Sequence, residues 1–432
     1  MKKGIAAIAG ILAIALAGQN AYAKTLEDVL KEKGVITEED YRDITKVKPI
    51  DYKLGKGFTF TTSDEKFQLT LGGRMQFRYT FTDYDDNTAK SDNSLWDAKR
   101  IRLIAQGYAY SKDLTYKLEF DPRAYASDTK KGLVDANINY KFLDEVQIKL
   151  GQYKTPFARQ ELTSDGALQF VDRSIVVDAF KHSYDIGAML NGKIADGLAY
   201  YYTGVFGGAG QTTGRTTNDN AFFARVAVNP LGDMPYDEPD FDKTEKPLLS
   251  IGANYFFNTI KNTYTPASAG PPAVSASASL ESSVPNYASS SGWLGKAQSG
   301  SSPWFGNTGK LDIDSFGTDL AFKWMGLSLQ GEYMFAQAEN QKGGKLLRAQ
   351  GYYAQIGYMI LPKTLEVAFR YSYLDPNRDK LNDLKTEQVG AVSWYLNKHN
   401  LKLQADIGNI HTQTSTRPTD DMQYRVQAQI IF

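Results

Sequence analysis

The chain has 432 residues, with 49 Lys and Arg balanced by 49 Asp and Glu, 3 His and no Cys. Zero formal net charge offers no basic surface for nucleic acid, and without cysteine there is no disulfide framework and no thiolate metal site. Mean hydropathy is −0.41, and no apolar run of about 18 residues follows residue 23, which excludes membrane helices but leaves a closed β-barrel, where only alternate residues face lipid.

In chain order, Lys2 and Lys3 precede an apolar run from Gly4 to Gly18 and then Ala21-Tyr22-Ala23. This is the pattern of a secretory signal, expected over 1–23 with cleavage after Ala23 and export through the periplasm. Residues 24–62 read as a short periplasmic segment. Thr25 precedes Leu26, Val29 and Leu30, with Gly34 as a stop, and Thr37 precedes Glu38, Glu39, Asp40, Tyr41 and Ile44, so two short capped helices are predicted in a tether.

The domain expected over 63–432 alternates with a period of two. Phe67, Leu69, Leu71, Met75, Phe77, Tyr79 and Phe81 share one face of the first strand, and Gln68, Thr70, Arg74, Gln76, Arg78 and Thr80 share the other. The second strand sends Ile101, Leu103 and Ala105 outward and Arg100, Arg102 and Gln106 inward. Further strands are predicted at 114–121, 133–140, 146–153, 184–191, 198–206, 221–229, 248–257, 316–324, 327–336, 349–360, 365–373, 386–396, 401–407 and 424–432, an even total of 16. The 386–396 strand alternates too poorly for its faces to be assigned. Outward aromatics Phe67, Tyr79, Phe81, Phe206, Phe257, Phe322, Trp324 and Tyr373 near strand ends suit interfacial girdles.

Connections sort by length. Joins at 82–97, 122–132, 154–183, 207–220, 258–315, 337–348, 374–385 and 408–423 are long, whereas Ser111-Lys112-Asp113, Met325-Gly326, 361–364 and 397–400 are tight turns. That sorting is what the external and periplasmic rims of a barrel require. The exception is 230–247, rich in Pro and Asp and too long for a simple turn. The Ser-, Ala-, Gly- and Pro-rich stretch 258–315 reads as a mobile surface insertion, with an adhesive patch as the alternative. Asp83, Asp85, Asp86 and Asp92 read as a solvated acidic loop, with bridging of divalent ions or lipopolysaccharide as the alternative. In the last strand Tyr424, Val426, Ala428, Ile430 and Phe432 share the apolar face. A terminal aromatic there resembles the assembly signal of bacterial outer-membrane barrels.

Several blocks are similar to the phosphate-selective porin O/P family of outer-membrane proteins. They are Gly72-Gly73-Arg74-Met75-Gln76, Lys99-Arg100-Ile101-Arg102-Leu103, Tyr116-Lys117-Leu118-Glu119-Phe120, Leu150-Gly151-Gln152-Tyr153-Lys154-Thr155-Pro156-Phe157, Glu161-Leu162-Thr163-Ser164, Asp172-Arg173-Ser174, Arg370-Tyr371-Ser372-Tyr373-Leu374-Asp375 and Trp394-Tyr395-Leu396-Asn397. The resemblance implies an all-β, 16-stranded antiparallel transmembrane barrel that assembles as a homotrimer. It also implies a third external loop, here Lys154–Ser183, that folds inward to narrow the pore. The family's Arg-Arg-Ala-Arg motif stands here as Lys99-Arg100-Ile101-Arg102, with a point-charge lysine in place of one forked guanidinium.

Sorting charges by face places 11 bases in the lumen, Arg74, Arg78, Arg100, Arg102, Lys117, Lys149, Arg225, Lys323, Arg370, Lys402 and Arg425. The lumen acids number 8, Glu119, Asp121, Asp135, Asp185, Asp319, Glu332, Glu366 and Asp406. Arg74, Arg78, Arg100 and Arg102 form a strip with no acid among them on their strands. With Lys99, Lys117 and Lys149 they are the expected anion pathway. The inward loop holds Lys154, Arg159, Arg173 and Lys181 against Glu161, Asp165, Asp172 and Asp178, an even balance that could instead set up a cross-pore field. His182, His399 and His411 stand in no catalytic motif, and no cofactor or metal is expected. The expectation is a water-filled outer-membrane channel for small anions, phosphate or polyphosphate among them, in contact with outer-membrane lipid and lipopolysaccharide. The alternatives are a weakly selective general porin and an adhesive or structural barrel acting through 258–315. A barrel enzyme using His182 ranks third.

Overall fold

The computed structural model describes residues 26–37, 49–128, 131–268, 275–281, 286–298 and 303–432. The expected signal at 1–23 and the helix expected after Thr37 lie outside the described residues. Helix α1, Leu26–Glu32, precedes Gly34 at φ 67°, the left-handed conformation that ends helices. It belongs to a unit ending at Pro49, and Ile50–Phe432 form the second unit.

The second unit is one sheet of strands β1 Ile50–Lys53, β2 Gly57–Thr61, β3 Phe67–Asp83, β4 Asn93–Ala109, β5 Ser111–Phe120, β6 Leu133–Leu143, β7 Val146–Lys154, β8 Tyr184–Ile194, β9 Ala199–Phe206, β10 Ala221–Val228, β11 Leu248–Thr265, β12 Ser277–Leu280, β13 Gly309–Trp324, β14 Leu327–Asn340, β15 Leu347–Leu361, β16 Leu365–Asp375, β17 Lys385–Asn397, β18 Leu401–Thr412 and β19 Thr419–Ile431. β3–β11 and β13–β19 close into a 16-stranded antiparallel barrel, sealed where Met422 to Ile431 of β19 pair with Asp83 to Arg74 of β3. All 16 expected strands are present, several of them longer, so the join expected at 82–97 shrinks to 84–92 and 258–315 to 266–308. Helix α2, Pro122–Ser127, fills part of one long join and is capped by Asp121, whose side chain accepts from the Ala124 amide. The two-residue turn Met325-Gly326 has φ 51° and 86°, the primed-turn backbone that suits a twisted hairpin.

Burial is inverted relative to a water-soluble fold. Phe77, Leu103, Phe316, Tyr333 and Ile407 are exposed, while Arg159, Arg225 and Arg370 are fully buried. An outward apolar face and an inward polar face are what a bilayer demands of alternating strands. One expected face is corrected, and the strand whose faces the sequence left unassigned gains them. Phe206 points inward and stacks on Phe223, 4.8 Å between centroids, and is 1% exposed. β17 alternates poorly because its inner face carries Val389 and Ala391, which pack on Phe170 from a loop inside the barrel.

The barrel sheet starts earlier than 63. β1 and β2 form a hairpin, and β2 pairs Phe58 to Thr61 with Leu71 to Gln68 of β3, beside the stretch of β3 that β19 occupies. Between the two pairings, Phe432 and Gly73 exchange backbone hydrogen bonds of 2.7 and 2.9 Å. The half-buried Phe432 lies over Gly73, where a Cβ would meet its ring at 2.8 Å and the Arg102 carbonyl at 2.9 Å. Gly73→Val is therefore expected to lower the fraction of heat-modifiable folded barrel on electrophoresis, while Gly214→Val, with nothing within 4 Å, leaves it unchanged. Equal folding of the two variants contradicts this closure.

Candidate permeation pathway

The segment 155–183 leaves β7, crosses the lumen and returns to β8, carrying short helices α3 Arg159–Leu162 and α4 Ile175–Phe180. Its backbone is gripped by the opposite wall. Glu332 on β14 accepts from the Arg159 and Gln160 amides at 2.8 and 2.7 Å. Asp406 on β18 accepts from the Val171 amide at 3.1 Å. Arg370 on β16 donates to the carbonyls of Asp172 and Arg173, and Lys402 on β18 donates to that of Leu168. These contacts satisfy loop groups that would otherwise be buried without partners.

Two other segments enter the barrel. The long periplasmic join 229–247 folds inward beneath the loop. There Glu238 accepts from Gln160 Nε2 at 2.9 Å and from the Gln169 amide at 2.7 Å, and Asp237 pairs with Lys323. From the external side, 286–298 with helix α5 (Trp293–Gln298) buries Tyr287, Trp293 and Leu294 against Phe180, Val176 and Val177. The described part of 266–308 thus corrects the expectation of a mobile surface insertion there, because its aromatic groups need the apolar surface of α4. These segments pack toward β10–β18, and the loop reaches β3, β4 and β19 as well.

One open space lies against β3–β9. A cavity of about 390 Å³ is lined by Lys56, Arg74, Lys117, Lys149 and Lys154, by Glu119, Asp135 and Asp165, and by Ile104, Tyr153, Tyr184, Met189 and Tyr202. It shares Lys56, Gln106, Lys117, Asn137 and Lys149 with a wider space of about 710 Å³ that reaches Asp51 and Lys53, near the short-turn rim.

The arginine strip is not free of acid. The inward loop lays Asp165 against Arg100 (2.8 Å), Arg74 (3.4 Å) and Arg102 (3.9 Å). Asp172 lies against Arg78 (2.5 Å), Arg100 (3.6 Å) and Arg425 (3.7 Å). Arg102 also meets Asp121 at 3.2 Å and Glu119 at 3.6 Å. The loop brings in carboxylates that are distant in sequence, so the strip is an anchor. Burial disfavours charge on Asp165 and Asp172. Even so, Arg100, Arg173, Lys154 and Arg74 hold the first carboxyl well below the ordinary range, and Arg78, Lys99, Arg100 and Arg425 hold the second there.

Of the expected pathway residues, Arg74, Lys117 and Lys149 line the cavity, whereas Arg78, Lys99, Arg100 and Arg102 do not. Lys99 is the extra residue of a β-bulge opposite Gln76 and Phe77. Lys117 is tied to Glu119 at 2.8 Å and Asp135 at 2.7 Å. Lys149 makes no ion pair among the described residues, and its ammonium sits 5.6 Å from the Tyr153 ring centroid. Of the expected constriction residues, Lys154 and Asp165 face the cavity. Arg159 is buried, donating to Ser250 and the Pro235 carbonyl, and Arg173 is buried between Asp165 (2.7 Å) and Glu161 (3.6 Å). Lys56, at the hairpin turn, was missed because 24–62 read as separate from the barrel. The alternation of Phe58 and Phe60 with Thr59 and Thr61 was the available signal. His182 stacks on Phe256 at 3.6 Å, and neither ring nitrogen has a partner among the described residues. Asp85 and Asp92 accept from backbone amides of Asn87, Asp420 and Tyr84 within the rim.

This fold and lumen define an outer-membrane porin. Residues 69–238 and 298–432 match the family of phosphate-selective porins O and P, and the chain belongs to that family. Porin O of Pseudomonas aeruginosa is 24% identical over 380 residues, 84% of this chain and 79% of that one. The anion-selective porin of Comamonas acidovorans superposes with a TM-score of 0.52 at 11% identity, over 84% of this chain and 99% of that one. The trimer form of OmpT from Vibrio cholerae gives 0.51 at 10% identity, over 84% and 99%. The two structural likenesses carry the fold. As a member of its family the chain is an anion-selective outer-membrane channel and not an enzyme.

Because the Asp165 and Asp172 carboxyls are depressed, their anchoring is complete above the ordinary aspartate pKa of about 3.9 and is lost only as pH falls through the lower folded values. Single-channel current noise is expected to stay flat from neutral pH down to about 4 and to rise below it. A rise that begins near neutrality contradicts the anchor.

Proposed function

We propose that small anions, phosphate among them, diffuse along the β3–β8 wall through the cavity left by the inward loop. The observation that carries this reading is the lining. Five cations, Lys56, Arg74, Lys117, Lys149 and Lys154, face three acids, Glu119, Asp135 and Asp165. Asp165 is already committed to the arginines, and Lys149 has no carboxylate partner among the described residues. In a pore with low-dielectric walls such an excess concentrates anions.

The guanidinium forks that could grip phosphate bidentately are turned to the loop, and lysines face the solute. The channel then favours anions by charge and discriminates little between phosphate and other small anions. An adhesive role through 258–315 is disfavoured by the burial of Tyr287, Trp293 and Leu294. The assembly is read as a homotrimer set in outer-membrane lipid and lipopolysaccharide, and Phe432 as the assembly signal. The outward apolar face, the Phe432–Gly73 pairing and the trimer form of OmpT support these readings.

In planar bilayers under a KCl gradient, the wild-type reversal potential is expected to favour chloride. Lys149→Glu is expected to lower the chloride-to-potassium permeability ratio several-fold. An unchanged ratio in Lys149→Glu overturns this pathway.

A further inference from the structure

The polar face of the lumen is interrupted along the cavity wall. Ile104 takes the lumen-facing position between Arg102 and Gln106 on β4, and Met189 takes it between Gly187 and Asn191 on β8. Water-filled lumen favours polar side chains at such positions; Met189 is buried beside Tyr153 and Phe206 and adds a wall there, while the half-buried Ile104 keeps apolar surface toward the same cavity that suits an apolar contact. Leu162 and Pro156 of the inward loop add to this surface, and the rings of Tyr184 and Tyr202 complete it. Lys149, which makes no ion pair among the described residues, pairs in register with Met189 on the neighbouring strand. Tyr153, four residues further along β7 with its ring 5.6 Å from the Lys149 ammonium, is 3% exposed and lines the same cavity, and its hydroxyl has no hydrogen-bond partner among the described residues. A buried donor and an ammonium on one strand, neither with a hydrogen-bond or ion-pair partner of its own among the described residues, fit an oxygen acceptor that arrives with the solute.

We infer that this cavity is a binding site for aromatic or similarly apolar carboxylates, with the carboxylate on Lys149 and Tyr153 and the ring on Met189 and Ile104. Its volume of about 390 Å³ suits a small organic molecule and far exceeds the need of a bare inorganic anion. The inference rests on the anion route proposed above and narrows it to a solute class.

The test uses the full chain reconstituted in planar bilayers, with benzoate, acetate and benzyl alcohol each titrated against the chloride current. Benzoate is expected to block saturably at about tenfold lower concentration than acetate. Benzyl alcohol, which has the ring without the charge, is expected not to block. Met189→Gln and Ile104→Asn, on separate strands, are each expected to abolish the benzoate-over-acetate preference while the current still favours chloride. Heat-modifiable mobility establishes that each variant folds. Equal block by benzoate and acetate in the wild type overturns the inference, as does a preference that survives in a folded variant or block by benzyl alcohol. A wild-type channel that favours potassium overturns the anion route itself. A chloride-favouring channel without benzoate preference overturns only the assignment of the solute.

Discussion

The contact between the inward-loop carboxylates Asp165 and Asp172 and the arginines of β3, β4 and β19 determines where this channel is open. Barrel closure alone gives a wide polar tube. The loop drawn across is pinned at Arg74, Arg78, Arg100 and Arg425, packs with the other inward segments toward β10–β18, and leaves a cavity along β3–β9. The same contacts consume the strongest anion-gripping groups, so the charge facing the solute is mainly lysine. Loop position and lumen chemistry are thus two results of one set of ion pairs.

The packed half shows why such a loop stays folded inside a barrel. A loop in the lumen brings amides and carbonyls into a confined space, and each must find a partner. The wall supplies them from several strands, through Glu332, Gln404, Asp406, Arg370 and Gln429, and the periplasmic segment supplies Glu238 from below. Apolar contacts join these polar ones where the external segment seats Trp293 and Tyr287 on α4. Because partners come from many strands, the arrangement depends on the barrel being closed, and the β2–β3 and Phe432–Gly73 pairings lie at that seam.

The period-two signal made the barrel legible, since one-sided lipid exposure writes itself into every strand locally. The inward loop was legible through its resemblance, from Lys154 onward. The charge pairing was not legible, because Asp165 and Asp172 meet wall arginines far away in the chain and nothing local marks an aspartate for a distant wall. The faces of β17 were obscured for a related reason. Its lumen side carries apolar Val389 and Ala391 between Glu387 and Ser393, where Phe170 rests on it. The segment 229–247 announced itself by its length and its Pro and Asp content, but not by where those acids would point. Phe206 failed as a girdle residue because an aromatic at a strand end reads the same on either face.

If the arginine wall holds the loop and does not conduct, its loss should change the size of the channel before it changes its ion preference. The direct measurement is the single-channel conductance and reversal potential of Arg78→Gln beside the wild type. The structure predicts a larger and noisier conductance with the preference for chloride retained. An unchanged conductance together with a collapsed anion preference would contradict it and return the arginines to the solute's path.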